Sequence, residues 1–198
     1  MEVLTERILR LAQELPEGSS LSAKALLHLG GRAAVDQALS RLVRRGSLMR
    51  AGRGVYVRPV KGKFGTRPPA ASMLVRTMGQ QRGETVTIHG AAAANAFGLT
   101  TQVPVREIYL TSGRSRRLKL GAQVVELRHA PSWQLLMPDR PAGDALRALA
   151  WLGPKHAAGA LRTLGRKLSK VELREITAAR SRLPTWMAQE VSTLARNA

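Results

Sequence analysis

Gly31-Arg32-Ala33-Ala34-Val35-Asp36-Gln37-Ala38-Leu39-Ser40-Arg41-Leu42-Val43-Arg44-Arg45-Gly46 decides how the first third of the chain is read. At about 100° per residue, Val35, Ala38, Leu39, Leu42 and Val43 share one face of a helix. Ala33, Gln37, Ser40, Arg41 and Arg44 share the other. Gly30-Gly31 breaks the chain before it and Gly46 supplies a C-terminal cap, so a helix is predicted over 32–45. Its polar face combines a small residue, an amide, a hydroxyl and guanidinium groups. A helix in the DNA major groove presents such groups: Arg pairs bidentately with guanine, Gln with adenine, and Ala33 permits close approach. Asp36, the one acid in the stretch, lies at the flank of that face.

Upstream, Val3, Leu4, Ile8, Leu11, Ala12 and Leu15 form a helical stripe that ends at the turn Pro16–Ser19. Ser22 then caps a short helix over Ala23–Leu29. Downstream, Ser47–Arg50 and Val55–Pro59 alternate as strands around Ala51-Gly52-Arg53-Gly54, a hairpin with Arg53 at its tip. Three helices and a basic hairpin in this order predict a winged helix-turn-helix over 1–60. Arg32, Gln37, Ser40, Arg41 and Arg44 then address bases, while Arg50, Arg53, Tyr56 and Arg58 hold the wing on phosphates. The plainer reading of the same residues is a small helical domain whose arginines are merely solvated.

Charge bears on that choice. Lys and Arg number 32 against 13 Asp and Glu, for a net charge of +19 over 198 residues and a pI near 11.8. The excess is spread as +5 over residues 1–60, +8 over 61–130 and +6 over 131–198, so no basic tail carries it. A folded surface so charged favours a polyanionic partner, nucleic acid first. A low-acid, high-Arg composition can also come from a GC-rich genome, so charge alone does not decide. Hydrophobic residues make up 44 %, enough for a core. With no cysteine, disulfide frameworks, thiol catalysis and Cys-based zinc sites are excluded. No apolar run approaches the ~18 residues of a membrane span. The N-terminus mixes charges into a helical pattern unlike a signal peptide, so a cytoplasmic protein without a membrane partner is expected.

Residues 61–68, rich in Gly, Pro and basic side chains, read as a linker that is either solvated or tracks a phosphate backbone. Residues 69–198 then read as a mixed domain. A helix over Ala70–Gln81, strands at Thr85–Ile88, Arg106–Thr111 and Gln123–Arg128, and an Ala-rich helix from Gly90 to Phe97 precede several C-terminal helices. These are predicted over Ala142–Leu152, Pro154–Leu168, Val171–Ala179 and Trp186–Leu194, with Ser169 and Glu172 as a capping box. The expected fold class is therefore α+β: a winged helix-turn-helix followed by a domain with a small β-sheet and several helices. Arg114, Arg116, Arg117 and Lys119, with Lys61 and Lys63, form a second candidate patch for phosphates. The alternative is a sheet edge blunted by charge. Trp133, Trp151 and Trp186 read as core or interface anchors.

Nothing in the sequence points to chemistry. His28, His89, His129 and His156 are scattered without metal-ligand spacing, and there is no phosphate-binding glycine loop or nucleophile elbow. Carboxylates are too few and too dispersed for a two-metal centre. His89 reads as a strand-to-helix cap. No catalytic residue, metal or cofactor is expected, and enzymatic function is not expected.

The stretch 31–46 followed by Arg53-Gly54-Val55-Tyr56 resembles the N-terminal domain of AbiEi-like antitoxins, the winged-helix transcriptional regulators of type IV toxin–antitoxin and abortive-infection systems. The resemblance continues through Thr87–Ala94, Ile108–Gly113 and Val124–Arg128, and is loose over the last sixty residues or so. It implies a DNA-binding antitoxin and autorepressor that binds inverted repeats of double-stranded DNA in its own promoter, as a monomer or a dimer on DNA. It also implies a functional partnership with a nucleotidyltransferase-like toxin, without a tight complex. A winged-helix repressor with a ligand-sensing second domain, and an RNA- or toxin-binding module, remain the alternatives.

Overall fold

The computed structural model describes residues 3–63, 65–103 and 105–194. Along the chain run α1 (Leu4–Glu14), β1 (Ser20–Leu21), a 3₁₀ helix (Lys24–Leu29), α2 (Arg32–Arg44), β2 (Met49–Gly52) and β3 (Val55–Val57). Next come β4 (Val60–Gly62), β5 (Gly65–Arg67), α3 (Ala71–Arg82), β6 (Val86–Ile88), α4 (Gly90–Ala96), β7 (Glu107–Thr111), β8 (Arg116–Leu120) and β9 (Gln123–His129). A 3₁₀ helix (Ser132–Leu135), α5 (Pro141–Leu152), α6 (Pro154–Lys167), α7 (Lys170–Ala178), a last 3₁₀ helix (Ala179–Arg182) and α8 (Thr185–Leu194) complete the order. The fold is mixed α+β, with small antiparallel strand pairings and several helices.

The chain gathers into two compact units, 1–84 with 116–127, and 85–115 with 128–198. In the first, α1 ends where Leu15 turns extended ahead of Pro16, because a residue before proline disfavours the helical region. Ile8 and Ala12 of α1, Leu26, and Val35, Ala38, Leu39 and Leu42 of α2 form one core with Leu48 and Tyr56. The apolar stripe read from the sequence is thus the buried face of α2, with Val43 only half-buried at its edge. Its end is a Schellman motif: Gly46 at φ +71° donates to Val43 O (3.0 Å) and Ser47 N–H donates to Leu42 O (2.9 Å).

β3 lies between β1 and β2 in an antiparallel sheet, Ser20 opposite Val57 and Arg50 opposite Tyr56. The two-residue β1 is too short to leave a pattern in the sequence. The predicted linker is also more ordered than a linker: Val60 pairs with Arg67 and Lys61 with Thr66, so β4 and β5 form a hairpin. Phe64 lies outside the described residues.

The contacts part elsewhere than the expected division at 61–68, because α3 is tied to the first unit. Thr77 Oγ1 donates to Gly18 O (2.7 Å), and Ser20 and Gln81 exchange bonds of 2.6 and 3.2 Å. Gly18 sits at φ +79°, and a Cβ there would stand 2.7 Å from Met73 Cγ, so only glycine lets helix and turn approach this closely. Residues 116–127 add the β8–β9 hairpin, turned at Gly121, with Leu118, Leu120, Val125 and Leu127 buried. The stretch 114–121, a loop or short strand by its sequence, thus supplies β8.

In the second unit β6 pairs with β7, Val86 opposite Thr111 and Ile88 opposite Tyr109. The small side chains of α4 let it lie against α5: Ala93, Ala94 and Ala148 are fully buried, and a Cβ on Gly90 would overlap the Arg147 carbonyl. Helices α5 to α8 enclose Leu146, Leu149, Leu161, Leu164, Ile176, Met187 and Val191, with Trp133 and Trp186 at the edge of that core. The capping box forms as read: Ser169 N–H donates to Glu172 Oε2 (2.7 Å) and Glu172 N–H to Ser169 Oγ (3.3 Å). Among the described residues no helix is long and apolar enough to cross a membrane.

Candidate nucleic-acid interface

Burying Val35, Leu39 and Leu42 forces the opposite side of α2 into solvent. Arg32, Ala33, Gln37, Ser40, Arg41 and Arg44 are all exposed. They differ in how free they are. Arg32 Nε donates to Asp36 Oδ2 at 2.8 Å, an exposed i,i+4 pair worth only a few tenths of a kcal/mol and easily exchanged for a phosphate. Ser40 Oγ donates back to Asp36 O (2.8 Å), which turns its hydroxyl toward its own helix. Gln37, Arg41 and Arg44 have no hydrogen-bond or ion-pair partner among the described residues.

The β2–β3 hairpin follows at once and exposes Arg50 and Arg53, with Arg58 half-buried just past β3. Arg50 Nε reaches Gly52 O at a long 3.4 Å. Tyr56 departs from expectation. It is 8 % exposed and packed in the core with Val35, Leu39 and Leu42, so it couples the hairpin to α2 instead of holding a phosphate. Strand alternation alone placed Tyr56 opposite Val55 and Val57. In fact all three β3 residues are buried, because β3 is the central strand.

The second basic patch divides. Arg116 is clasped by Glu84 through two bonds, 3.1 and 2.5 Å, with both side chains 17 % exposed, so it is a structural cation. Arg117 Nε sits 3.3 Å from Glu126 Oε1 and stays exposed, as does Lys119. Arg114 is exposed but belongs to the second unit, while Lys61 and Lys63 are exposed on the β4–β5 hairpin. Reading the sequence missed the neighbour of the β2–β3 hairpin. A Cβ on Gly52 would lie 3.4 Å from Leu118 Cδ2 and 3.8 Å from the Arg117 carbonyl, and one on Gly121 would lie 3.9 Å from Met49 Cε. β8 therefore runs beside β2 and brings Arg117 and Lys119 to the hairpin that carries Arg53. Some sixty residues separate the two strands, so no local pattern reveals this.

His89 is the N-cap of α4, as read: its Nδ1 accepts from Ala91 N–H at 3.2 Å. Burial, and then the charge of Arg128, push its pKa below the usual imidazole value. Among the described residues no cluster of His, Asp and Glu is arranged to hold a metal ion.

No curated protein sequence matches the chain. Among solved structures it is similar to the crystal structure of the RV2827C protein from Mycobacterium tuberculosis, at 17 % identity and a TM-score of 0.48, covering 98 % of this chain and 76 % of that one. Residues 7–175 match a family described as one of unknown function, DUF6088, and with that span of agreement the chain belongs to the DUF6088 family.

Proposed function

We propose that residues 1–60 act as a winged helix-turn-helix on double-stranded DNA, and that the chain is the antitoxin and autorepressor of a toxin–antitoxin operon. One observation carries the DNA half: α2 buries its apolar stripe and leaves Gln37, Arg41 and Arg44 exposed and unpartnered among the described residues, immediately before a hairpin that exposes Arg50 and Arg53. In a major groove, Arg41 and Arg44 meet guanine O6 and N7 and Gln37 meets adenine N6 and N7. Arg50, Arg53 and Arg58, joined by Arg117 and Lys119 from β8, contact phosphates and set the register. Inverted repeats suit two copies, one per half-site. The antitoxin half rests on the resemblance to AbiEi-like proteins, with a nucleotidyltransferase-like toxin as functional partner.

Fluorescence anisotropy with the DNA upstream of the gene tests the reading. Each phosphate neutralised contributes about −0.9 to the log–log salt slope, so ~6–10 contacts make binding collapse between low and moderate salt. Replacing Arg41 and Arg44 together by Ala weakens binding by about 1–3 kcal/mol for each guanidinium that pairs with a base. The same variant keeps its thermal midpoint, because both side chains project from the fold. Unchanged affinity in that variant discards α2 as the reading helix. Relief of the adjacent gene product's toxicity on co-expression tests the antitoxin half separately.

A further inference from the structure

The second unit holds a groove that DNA reading leaves unused. It has a volume of about 560 Å³ and lies between the end of β6, the start of α4, β7 and the end of α5. That size falls within the ~300–1,000 Å³ of small-molecule sites, and so does its make-up, mostly apolar walls with a few polar groups. Ile88 and Ile108 line it, and so do Tyr109 and Trp151. The chain has only seven aromatic residues, three Trp, two Tyr and two Phe, and two of them share this groove. Trp151 is 38 % exposed although α5 is mostly buried, so an indole ring is left facing solvent where the helix could have packed it.

His89 supplies a donor. Because His89 Nδ1 accepts from Ala91, its neutral ring carries the proton on Nε2. The lowered pKa keeps that ring neutral at pH 7. An adjoining recess of about 290 Å³ shares His89 and Trp151 with the groove and is also lined by Arg147. Arg147 is 1 % exposed, and its Nε is buried without a hydrogen-bond partner. Among the described residues the only carboxylate lining the groove is Glu107, next to Arg106.

We propose that this groove binds a nucleobase presented as a nucleotide, its ring stacked on Trp151 and Tyr109 and its acceptor edge on His89. A base suits the site because it joins a stacking face to ring acceptors that can meet the His89 donor, whereas the Phe and Trp rings of a peptide carry no acceptor. A phosphate tail also suits a chain of net charge +19. The inference does not depend on the DNA-binding reading.

Isothermal titration calorimetry and tryptophan fluorescence with AMP, GMP, CMP and UMP, and with single-stranded tetranucleotides of RNA and DNA, test it on the full chain. Saturable binding with quenching is expected, weakened about 5- to 150-fold in Trp151→Ala and largely kept in Trp151→Phe, where the stacking face survives. Tighter binding of tetranucleotides than of mononucleotides identifies an unpaired base in a strand as the source, and equal binding identifies free nucleotide. The Arg41/Arg44 double variant keeps nucleotide binding, so the two readings fail independently. Absence of heat and quenching at millimolar ligand, affinity unchanged in Trp151→Ala, or capture of N-acetyl-tyrosinamide in place of nucleotides overturns the proposal.

Discussion

α2 and α5 are helices of similar length, 13 and 12 residues, and both carry arginine within an amphipathic pattern. On α2, Arg41 and Arg44 stand in solvent. On α5, Arg147 is 1 % exposed and donates to Gln134 O (3.2 Å), Leu136 O (3.0 Å), Met137 O (3.5 Å) and Asp144 Oδ1 (2.6 Å). The difference lies in what each helix meets. Gly143, one turn before Arg147, has no side chain, so the 136–137 carbonyls press against α5; a Cβ there would overlap both. Those carbonyls have residues at positive φ beside them, Met137 at +47° and Asp139 at +56°, and the guanidinium gathers the turn. No such carbonyl cluster meets α2's outer face among the described residues, so its arginines stay available to a partner. A cation is thus structural or functional according to whether backbone acceptors converge on it, not according to its helix.

Four measurements sharpen or break this contrast. The largest effect is expected for Arg147→Ala, which strips several buried acceptors of their donor and leaves Asp144 uncompensated. Urea denaturation should show a loss of about 3–5 kcal/mol. A loss below ~1 kcal/mol would mean that water replaces the guanidinium and that the clamp is not structural. Arg116→Ala comes next, at about 1–2 kcal/mol, since its pair with Glu84 is only partly shielded. Lys119→Ala, three residues on and exposed, should stay within about 0.5 kcal/mol while lowering the salt slope of DNA binding by about 0.9. Equal stability losses at 116 and 119 would erase the distinction.

The smallest effect is a pH dependence from His89. Its folded pKa lies below the unfolded 6.5, so below that value the unfolded chain binds more protons. The contribution is fully present above about pH 6.5 and is lost as pH falls toward the folded pKa. Thermal midpoints of the parent chain should drop more steeply over that window than those of His89→Gln. Parallel curves would show that His89 titrates alike in both states.

Much of the fold was legible locally. The stripe Val35–Leu42, the Gly46 cap, the Ser169–Glu172 box and the His89 cap depend on residues within a few positions of one another, and helices and caps are written at that range. The candidate DNA-reading face came with them, since one face of a helix is exposed wherever the other is buried. Tyr56 was misplaced because burial on both faces of a central strand depends on β1, whose two residues carry no period. The boundary shifted because Gly18, Ser20 and Gln81 meet across some sixty residues.

Sequence by itself determined which segments are helical, where they stop and that the surface is strongly cationic, because these follow from periodicity, caps and composition. Only tertiary structure decided which cations are spent inside the fold, Arg116 and Arg147, and which remain on its surface. It also decided that β8 flanks the Arg53 hairpin and that Tyr109 and Trp151 share one groove. Acceptors, counter-charges and stacking partners come from residues far apart in the chain, and their convergence is a property of packing alone.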